Sequence, residues 1–193
     1  MTKPKRIPFG TIDRKKKNGV FVCIYTEAIA PWKYFNDEIK HTICPAVIMI
    51  DRWDGRIGFP GGTLESKEPL LDALVRETYE EIGIKVKAKN VVEIVSYETP
   101  KINTHLYGLC VNELEFLHIY YHILNNFSRS ILKHAYEEAD ESHFMSEITG
   151  IKIVPIVTHA GKGINKFLEN SFAGSCKEEF EIFIEEILKL ELD

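Results

Sequence analysis

The sequence predicts an α/β fold, an α/β/α sandwich around a mixed β-sheet. Three observations support this class. Apolar strand candidates lie before and after one strongly patterned helix, turn residues separate several of these segments, and an amphipathic helix follows near the end of the chain. With 193 residues, 45% hydrophobic and 27% charged, the chain is ordinary for a globular protein and long enough for one domain with a full core.

Two strand candidates precede the patterned helix. Residues 19–26 read GVFVCIYT, and residues 44–50 read CPAVIMI, which is so apolar that we expect burial on both faces of the sheet. The Asp-Gly pair at 54–55 is a turn signal. It predicts a hairpin between residues 43–53 and 56–59 that leads into a glycine-rich loop.

Further strand candidates and one helix come later in the chain. We predict strands at residues 86–96, 115–124 and 151–157, and Pro155 indicates a strand end or a sheet edge for the last of them. Residues 176–192 have the periodicity of an amphipathic helix. Its predicted core stripe consists of Phe180, Phe183, Ile184, Ile187 and Leu188.

The patterned helix is predicted from Pro69 to Ile82. Proline suits a first helical position, because the N–H that it lacks has no partner there in any case. Apolar residues recur at steps of three and four positions and predict a buried stripe. The members of this stripe are Leu71, Leu74, Val75, Thr78 and Ile82.

Three carboxylates share another face of this helix. Glu77, Glu80 and Glu81 are related by three and four positions, and their mutual repulsion is relieved by a hard cation with oxygen ligands, Mg²⁺ or Mn²⁺. The glycine pair at 61–62 lets the backbone approach such an ion or a phosphate closely. Arg76, four residues before Glu80, is placed to orient that carboxylate. The alternative, a solvated acidic helix, gives no reason for the glycines or the arginine.

Composition excludes several classes of protein. No apolar run approaches the roughly 20 residues that cross a bilayer, so we expect no membrane partner. The first residues lack the apolar stretch of a signal peptide. The four cysteines, at positions 23, 44, 110 and 176, form no CxxC pair, which argues against a zinc site or a disulfide framework.

Charge is distributed unevenly along a chain of net charge −5. We expect residues 1–17 to be a basic, flexible segment and residues 18–193 to form a single domain. A basic segment suits a phosphate backbone or a nuclear import receptor, and a frayed, solvated terminus is the alternative. Against Asp13, the segment carries Lys3, Lys5, Arg6, Arg14, Lys15, Lys16 and Lys17.

Residues 62–84 resemble the Nudix box, the signature of enzymes that hydrolyse nucleoside diphosphates linked to another group. Gly62 is followed six positions later by a glutamate, then by Arg-Glu, Glu-Glu and Gly-aliphatic pairs, with Thr78 where the family usually has an aliphatic residue. Residues 52–62 and 167–175 resemble the Nudix branch that removes caps from small nucleolar RNA. Members of that branch also hydrolyse inosine and deoxyinosine diphosphates.

The resemblance implies catalytic roles for box residues. Glu77, Glu80 and Glu81 match the metal-binding and catalytic glutamates for Mg²⁺ or Mn²⁺, and the carbonyl of Gly61, or that of its neighbour, is a candidate to complete the metal shell. Arg76 belongs to the same catalytic set. In the implied mechanism, water that Glu77 or Glu80 orients or deprotonates attacks a pyrophosphate phosphorus. Some relatives use a glutamate from a late loop, so these residues also stay open: Glu138, Glu141 and Glu147.

The resemblance also implies substrate contacts outside the box. Arg52 would neutralise phosphate charge, Phe59 would lie near the base, and Glu179 would accept a hydrogen bond from a purine N–H. His105 is a candidate pocket histidine, since Ile24 stands where relatives have one. The alternatives are a surface arginine, a core phenylalanine and a surface-loop histidine.

The expected function is metal-dependent pyrophosphohydrolysis of capped RNA and of (deoxy)inosine diphosphate. The alternatives are a general nucleoside-diphosphate-X hydrolase that sanitises the nucleotide pool without an RNA role, and a catalytically silent RNA-binding Nudix module, which the intact box disfavours. Capped RNA and purine nucleoside diphosphates are therefore the expected partners, with a homodimer as a further possibility. The expected location is the nucleus, including the nucleolus, or the cytoplasm.

Overall fold

The computed structural model describes residues 3–30, 43–136, 148–159 and 162–192. Within them, eight strands form one mixed sheet and two short strands form a hairpin. The strands are β1 (Lys5–Ile7), β2 (Lys17–Ile29), β3 (Cys44–Arg52), β4 (Ile57–Gly58), β5 (Gly61–Thr63), β6 (Val92–Glu98), β7 (Ile102–Cys110), β8 (Ile148–Pro155), β9 (Thr158–His159) and β10 (Lys162–Gly163). The helices are α1 (Leu70–Ile82), α2 (Glu113–Tyr136), α3 (Ile164–Phe167) and α4 (Cys176–Ile182).

The long strand β2 occupies the centre of the sheet. It pairs in parallel with β7 along one side, and on the other side it pairs first with β5 and then with β3, both antiparallel. β6 and β1 extend the sheet beyond β7, while β8 pairs with β3. The glycine strand β5 is therefore placed beside the start of β2, where β3 has not yet begun to pair.

Helices cover both faces of the sheet, which confirms the predicted α/β/α sandwich. Successive residues of a strand point to opposite faces, so Val22 packs in the core beneath α1 and α2, whereas Cys23 packs in the core beneath α4. α1 and α2 contribute Leu74 and Phe116 to the first core, and α4 contributes Phe180 to the second.

Several predictions that rest on local sequence patterns are confirmed. The predicted helix occurs as α1 but begins one residue later than expected, because Pro69 has an extended backbone and is the N-cap residue, not the first helical residue. The Asp-Gly turn joins β3 to β4 as predicted. β3 is buried along most of its length, as expected of a strand covered on both faces. Pro155 ends β8, which pairs only with β3 among the described residues and is thus a sheet edge.

The strand predicted at residues 115–124 is wrong, because this segment belongs to α2. Phe116 and Ile123 lie seven positions apart and are both fully buried, which is a helical stripe. Leu114 and Tyr121, at 80% and 55% exposure, fall on the opposite face of the helix. The buried apolar residues of this segment thus follow a helical period, while exposed apolar residues lie on the other face.

Other boundaries shift. The strand expected at 86–96 begins later, as β6, after a 3₁₀ turn at Ala88–Asn90. α4 passes into a π-helical turn at Phe183–Ile187 and does not reach residue 192. Within α1, Leu71 is exposed, and the buried positions are Ala73, Leu74, Thr78 and Ile82.

The basic segment that was expected to be flexible lies against the sheet in its described part. β1 pairs with β6, and Arg6 makes two hydrogen bonds of 2.6 and 2.9 Å to the carboxylate of Glu186. Lys16 binds Glu98 at 2.5 Å. No helix within the described ranges is long and apolar enough to cross a membrane.

Candidate functional site

The glycine pair of β5 lies directly against the face of α1 that carries the glutamates. A Cβ atom at Gly62 would overlap the carboxylate of Glu77, and a Cβ atom at Gly61, whose φ is +144°, would overlap the backbone of Val20. The main-chain N–H of Gly61 donates to Oε2 of Glu81 at 2.5 Å. A side chain at Gly62 would displace the carboxylate of Glu77, and one at Gly61 would collide with the backbone of β2, so both positions favour glycine.

Arg76 organises the carboxylates of this region. Its Nε and Nη2 bind the two oxygens of Glu68 at 2.9 and 2.7 Å, and its Nη1 binds Glu77 at 2.8 Å and Glu80 at 3.0 Å. Nη2 also donates to the carbonyl of Thr63 at 3.1 Å. All the donors of the guanidinium are thus used, and one positive charge holds three negative ones together.

The carboxylates differ in their surroundings. Burial raises the pKa of Glu77 in spite of the neighbouring Arg76 guanidinium, which acts in the opposite direction. Hydrogen bonding to Arg76 lowers the pKa of Glu68. The side chain of Glu80 is 57% exposed, so its carboxylate is the one most open to a water molecule or a ligand.

The donor chemistry of the region fits a hard divalent cation. The carboxylates of Glu77, Glu80 and Glu81 and the carbonyl of Gly61 are all oxygen ligands, which Mg²⁺ and Mn²⁺ prefer. Among the described residues, no three or more aspartate, glutamate, histidine or cysteine side chains are placed so that they could hold a metal ion together. Arg76 holds both Glu77 and Glu80. The metal ligands therefore remain predictions.

Phe59 and Arg52 lie near the hairpin that feeds the glycine strand. Phe59 is 3% exposed and packs edge-on against Phe180, with ring centroids 5.8 Å apart, which matches the core-phenylalanine alternative. Arg52 ends β3, and its Nε lies 3.5 Å from a carboxylate oxygen of Asp54. The loop from Phe59 to Gly62 thus passes from the core beneath α4 to the face beneath α1.

Glu179 is buried beneath α4, on the opposite face of the sheet from the box glutamates. Its exposure is only 2%, and its Oε1 accepts hydrogen bonds from the hydroxyls of Thr104 and of Ser175, the latter at 3.1 Å. Burial raises its pKa to about 7. The chain therefore contains an acid that titrates near neutrality in the layer that also holds Phe59.

His105 lies on β7 and is fully buried, so the expectation of a surface-loop histidine is wrong. Its Nδ1 is 2.7 Å from the hydroxyl of Ser96, and Phe9 packs against its ring. Nε2 has no hydrogen-bond partner within the described structure. Burial lowers the pKa of the ring to about 4, which keeps it neutral. His105 pairs with Val20 of β2, and Val20 pairs on its other side with Gly62 of β5. One strand, β2, therefore separates His105 from the glycine pair.

The structure thus brings the predicted box residues together around α1 and β5, and it places Phe59 and Glu179 in the same layer beneath α4. The other predicted residues lie elsewhere. Ile24, where relatives have a histidine, is buried in the core beneath α1. The candidate glutamates at 138, 141 and 147 lie outside the described residues. The sequence interpretation assigned no role to Glu68, although its spacing from Gly62 was part of the box. Nothing local in the sequence marks Thr104 and Ser175 as partners of a buried acid.

Comparisons with known proteins find a matching family and several related proteins. The family model described as "Nudt16-like: U8 snoRNA-decapping enzyme-like" matches residues 19–192. The U8 snoRNA-decapping enzyme of Mus musculus is 32% identical over 145 residues, covering 69% of this chain and 65% of that protein. That of Ovis aries is 32% identical over 143 residues with the same coverage. The chain thus matches slightly less than two thirds of the length of these relatives.

Solved structures share the fold. A MutT/nudix family protein from Enterococcus faecalis superposes with a TM-score of 0.58 at 14% identity, covering 93% of this chain and 64% of that one. A mutT/nudix family protein from Listeria innocua gives a TM-score of 0.53 at 14% identity, with coverage of 90% and 94%. At this identity the likeness concerns the architecture alone.

Proposed function

We propose that this chain, which belongs to the Nudt16-like family of U8 snoRNA-decapping enzyme-like proteins, hydrolyses the phosphoanhydride of capped RNA. The observation that carries the proposal is the carboxylate cluster held by Arg76 against the glycine strand. Phosphoryl transfer depends on positioning and charge neutralisation more than on covalent chemistry, and this cluster supplies both. The products would be a methylated guanine nucleotide and RNA with a 5′-phosphate.

The side chains of the cluster divide the work. Glu80, exposed and oriented by Arg76, accepts the proton of the attacking water, and Glu77 is the second candidate for that role. Arg76 and Glu68 keep the two carboxylates in place. Mg²⁺ or Mn²⁺, held by the box glutamates with the Gly61 carbonyl, would neutralise charge on the phosphate oxygens and lower the pKa of water.

Substrate recognition is proposed to involve Arg52 and Glu179, with Phe59 as support. Arg52 ends β3 near the glycine strand and would offset phosphate charge. Glu179 would offer its carboxylate to a purine edge, which requires the apolar layer that buries it to open, since its side chain is only 2% exposed. Phe59 supports that layer through its contact with Phe180. Because His105 is enclosed by Phe9 and Ser96, we leave it out of the substrate contacts.

Glu179 also favours a second candidate substrate, inosine or deoxyinosine diphosphate. A carboxyl group that titrates near neutrality accepts a hydrogen bond when ionised and donates one when protonated, so it can pair with either an N–H or a carbonyl of a purine. Both reactions cleave a phosphoanhydride next to a purine nucleoside. One cluster of carboxylates therefore suffices for both.

Product analysis with Mg²⁺ or Mn²⁺ tests these proposals on capped short RNA, inosine diphosphate and guanosine diphosphate. Release of a methylated guanine nucleotide from capped RNA, lost in the Glu80→Gln variant, is the expected result. Phosphate release from inosine diphosphate with no decapping would replace the RNA role with nucleotide-pool sanitation. Turnover of none of the three by the metal-loaded protein would refute both.

Gly62→Ala is expected to lower turnover at least tenfold with little loss of stability. The added methyl group would overlap the carboxylate of Glu77, which is the mobile end of a flexible side chain and swings away cheaply. A displacement of about 1 Å of a catalytic group costs roughly 100-fold in rate in favourable cases. Rates measured together with thermal unfolding check this prediction, and an unchanged rate at normal stability would contradict it.

Two further proposals concern where the protein is located and how it assembles. The relatives are decapping enzymes for a small nucleolar RNA, which supports a nuclear or nucleolar location. Phe180, Phe183 and Ile184 are buried within the monomer, so a homodimer would need another surface than the apolar stripe of α4. Imaging of a tagged protein and sedimentation in solution test the two proposals.

A further inference from the structure

An exposed basic surface lies at the end of the sheet where the parallel strands β2 and β7 begin. Lys17, the first residue of β2, pairs with Ile102, the first residue of β7, so the turns before both strands meet at this end. These turns carry Arg14 and Lys15 on one side and Lys101 on the other. The side chains of Arg14, Lys15, Lys17 and Lys101 are all exposed, and we call this surface the basic edge.

The turn that carries Arg14 and Lys15 has a defined conformation that hydrogen bonds stabilise. The side chain of Asn18, 8% exposed, donates to the carbonyls of Asp13 and Lys16 at 2.9 and 3.2 Å and accepts from the N–H of Asp13. The carboxylate of Asp13, the one acid in this turn, accepts the N–H of Lys15 at 2.9 Å. These bonds fix the backbone, so the basic side chains project from a defined position.

The members of the basic edge are not neutralised within the described structure. Elsewhere in the N-terminal segment, Lys16 pairs with Glu98 and Arg6 pairs with Glu186. No ion pair joins any of the four residues of the basic edge to a described acid. They therefore present positive charge to solvent, on a chain whose net charge is −5.

The basic edge lies close to the carboxylate cluster. The N–H of Leu64 donates to the carbonyl of Asn18 at 2.8 Å, and Val20 pairs with Gly62, the glycine that faces Glu77. Lys17 precedes Val20 by three positions, which is about 10 Å along a strand. A chain that leaves the carboxylate cluster in this direction reaches positive charge within a short distance.

We propose that the basic edge binds the phosphate backbone of the single-stranded RNA whose 5′ end is held at the carboxylate cluster. The inference rests on the proposed decapping function for the direction of the RNA, but not for binding itself. A cap has few phosphates, whereas the RNA chain that follows carries one per nucleotide, so a nearby row of cations adds affinity only for long substrates. Such contacts are independent of sequence and depend on salt.

The test uses the full chain with Arg14, Lys15 and Lys17 changed together to glutamine. Its matched control changes Lys85, Lys87 and Lys89, three exposed lysines that follow α1, to glutamine. Fluorescence anisotropy with short uncapped single-stranded RNA gives the dissociation constant over a range of salt concentrations. Turnover is measured on a capped RNA and on a free cap dinucleotide.

The basic-edge variant is expected to bind RNA at least about tenfold more weakly, and the slope of log affinity against log salt to fall by about 2 for three lost contacts to a single strand. Its kcat/KM on capped RNA should fall, while hydrolysis of the dinucleotide stays unchanged. The control variant should match the wild type. Unchanged RNA affinity and slope, or an equal loss in the control, would overturn the proposal.

The failure of the proposed function gives a different result. If the wild type hydrolyses no capped substrate but its RNA affinity still falls in the basic-edge variant and not in the control, the surface stands and the decapping proposal falls. If capped RNA and the dinucleotide are hydrolysed equally well by wild type and variant, and RNA affinity is also unchanged, the decapping proposal stands and the surface falls.

Discussion

Glu80→Gln is expected to lower metal-dependent turnover by about 100-fold or more, because it would remove the proposed general base and one of the proposed metal ligands together. The amide keeps the shape of the side chain but loses its negative charge. Glu80 is 57% exposed and contacts Arg76 at 3.0 Å. An exposed ion pair contributes little to stability, so the free energy of unfolding should change by less than about 0.5 kcal/mol.

Steady-state kinetics at saturating Mg²⁺, together with urea unfolding, measure both effects. Asp72→Asn is the matched control, because Asp72 is an exposed acid on the same helix but lies in its first turn, apart from the hydrogen bonds of Arg76. The control should keep the wild-type rate. A Glu80→Gln variant with a near-normal rate would remove Glu80 from the mechanism, and the same result for Glu77→Gln would remove the cluster.

The box could be interpreted from the sequence because its geometry is local. Residues three and four positions apart share a helix face, so the spacing predicts that Glu80 lies beside both Arg76 and Glu77. The glycines before the helix are required by two close approaches, that of Gly62 to the Glu77 carboxylate and that of Gly61 to the backbone of β2. Such relations need only the period of a helix and the length of a turn.

The features that could not be predicted from the sequence depend on contacts between distant parts of the chain. β7 reads INTHLYGLC, and its polar residues hide a buried strand, because Thr104 is satisfied by Glu179 and His105 by Ser96. Neither partner can be chosen from sequence, since the first pair is separated by 75 positions. In α2, a nearly continuous apolar run fits a strand or a helix equally well, and only packing of Phe116 decides between them.

Glu179→Gln is expected to stabilise the protein above neutral pH by about 3 kcal/mol, and to leave it unchanged near pH 4. Burial raises the pKa of Glu179 from 4.5 to about 7. Between these values the folded chain keeps a proton that the unfolded chain has released, so stability is highest below the unfolded pKa and falls as pH rises through the folded one. Glutamine cannot ionise, yet its carbonyl still accepts from Thr104 and Ser175.

His105 contributes a slope of opposite sign. Its pKa is lowered by burial from 6.5 to about 4, so in that window the unfolded chain binds the additional proton and stability rises with pH. The two slopes should cancel in the wild type between about pH 4.5 and 6.5, leaving the loss due to Glu179 visible above that range. In the Glu179→Gln variant only the rise due to His105 should remain.

Urea unfolding at about pH 4, 6 and 8 separates these contributions, because pH 4 lies below the range in which the two slopes cancel, pH 6 lies within it and pH 8 lies above it. Glu185→Gln is the control: Glu185 is exposed, lies one turn beyond α4 and should reproduce the wild-type profile. If the wild type and Glu179→Gln give parallel profiles, Glu179 is ionised in the folded protein at no cost. It would then present a fixed carboxylate to a purine, and not an acid that exchanges its proton near neutrality.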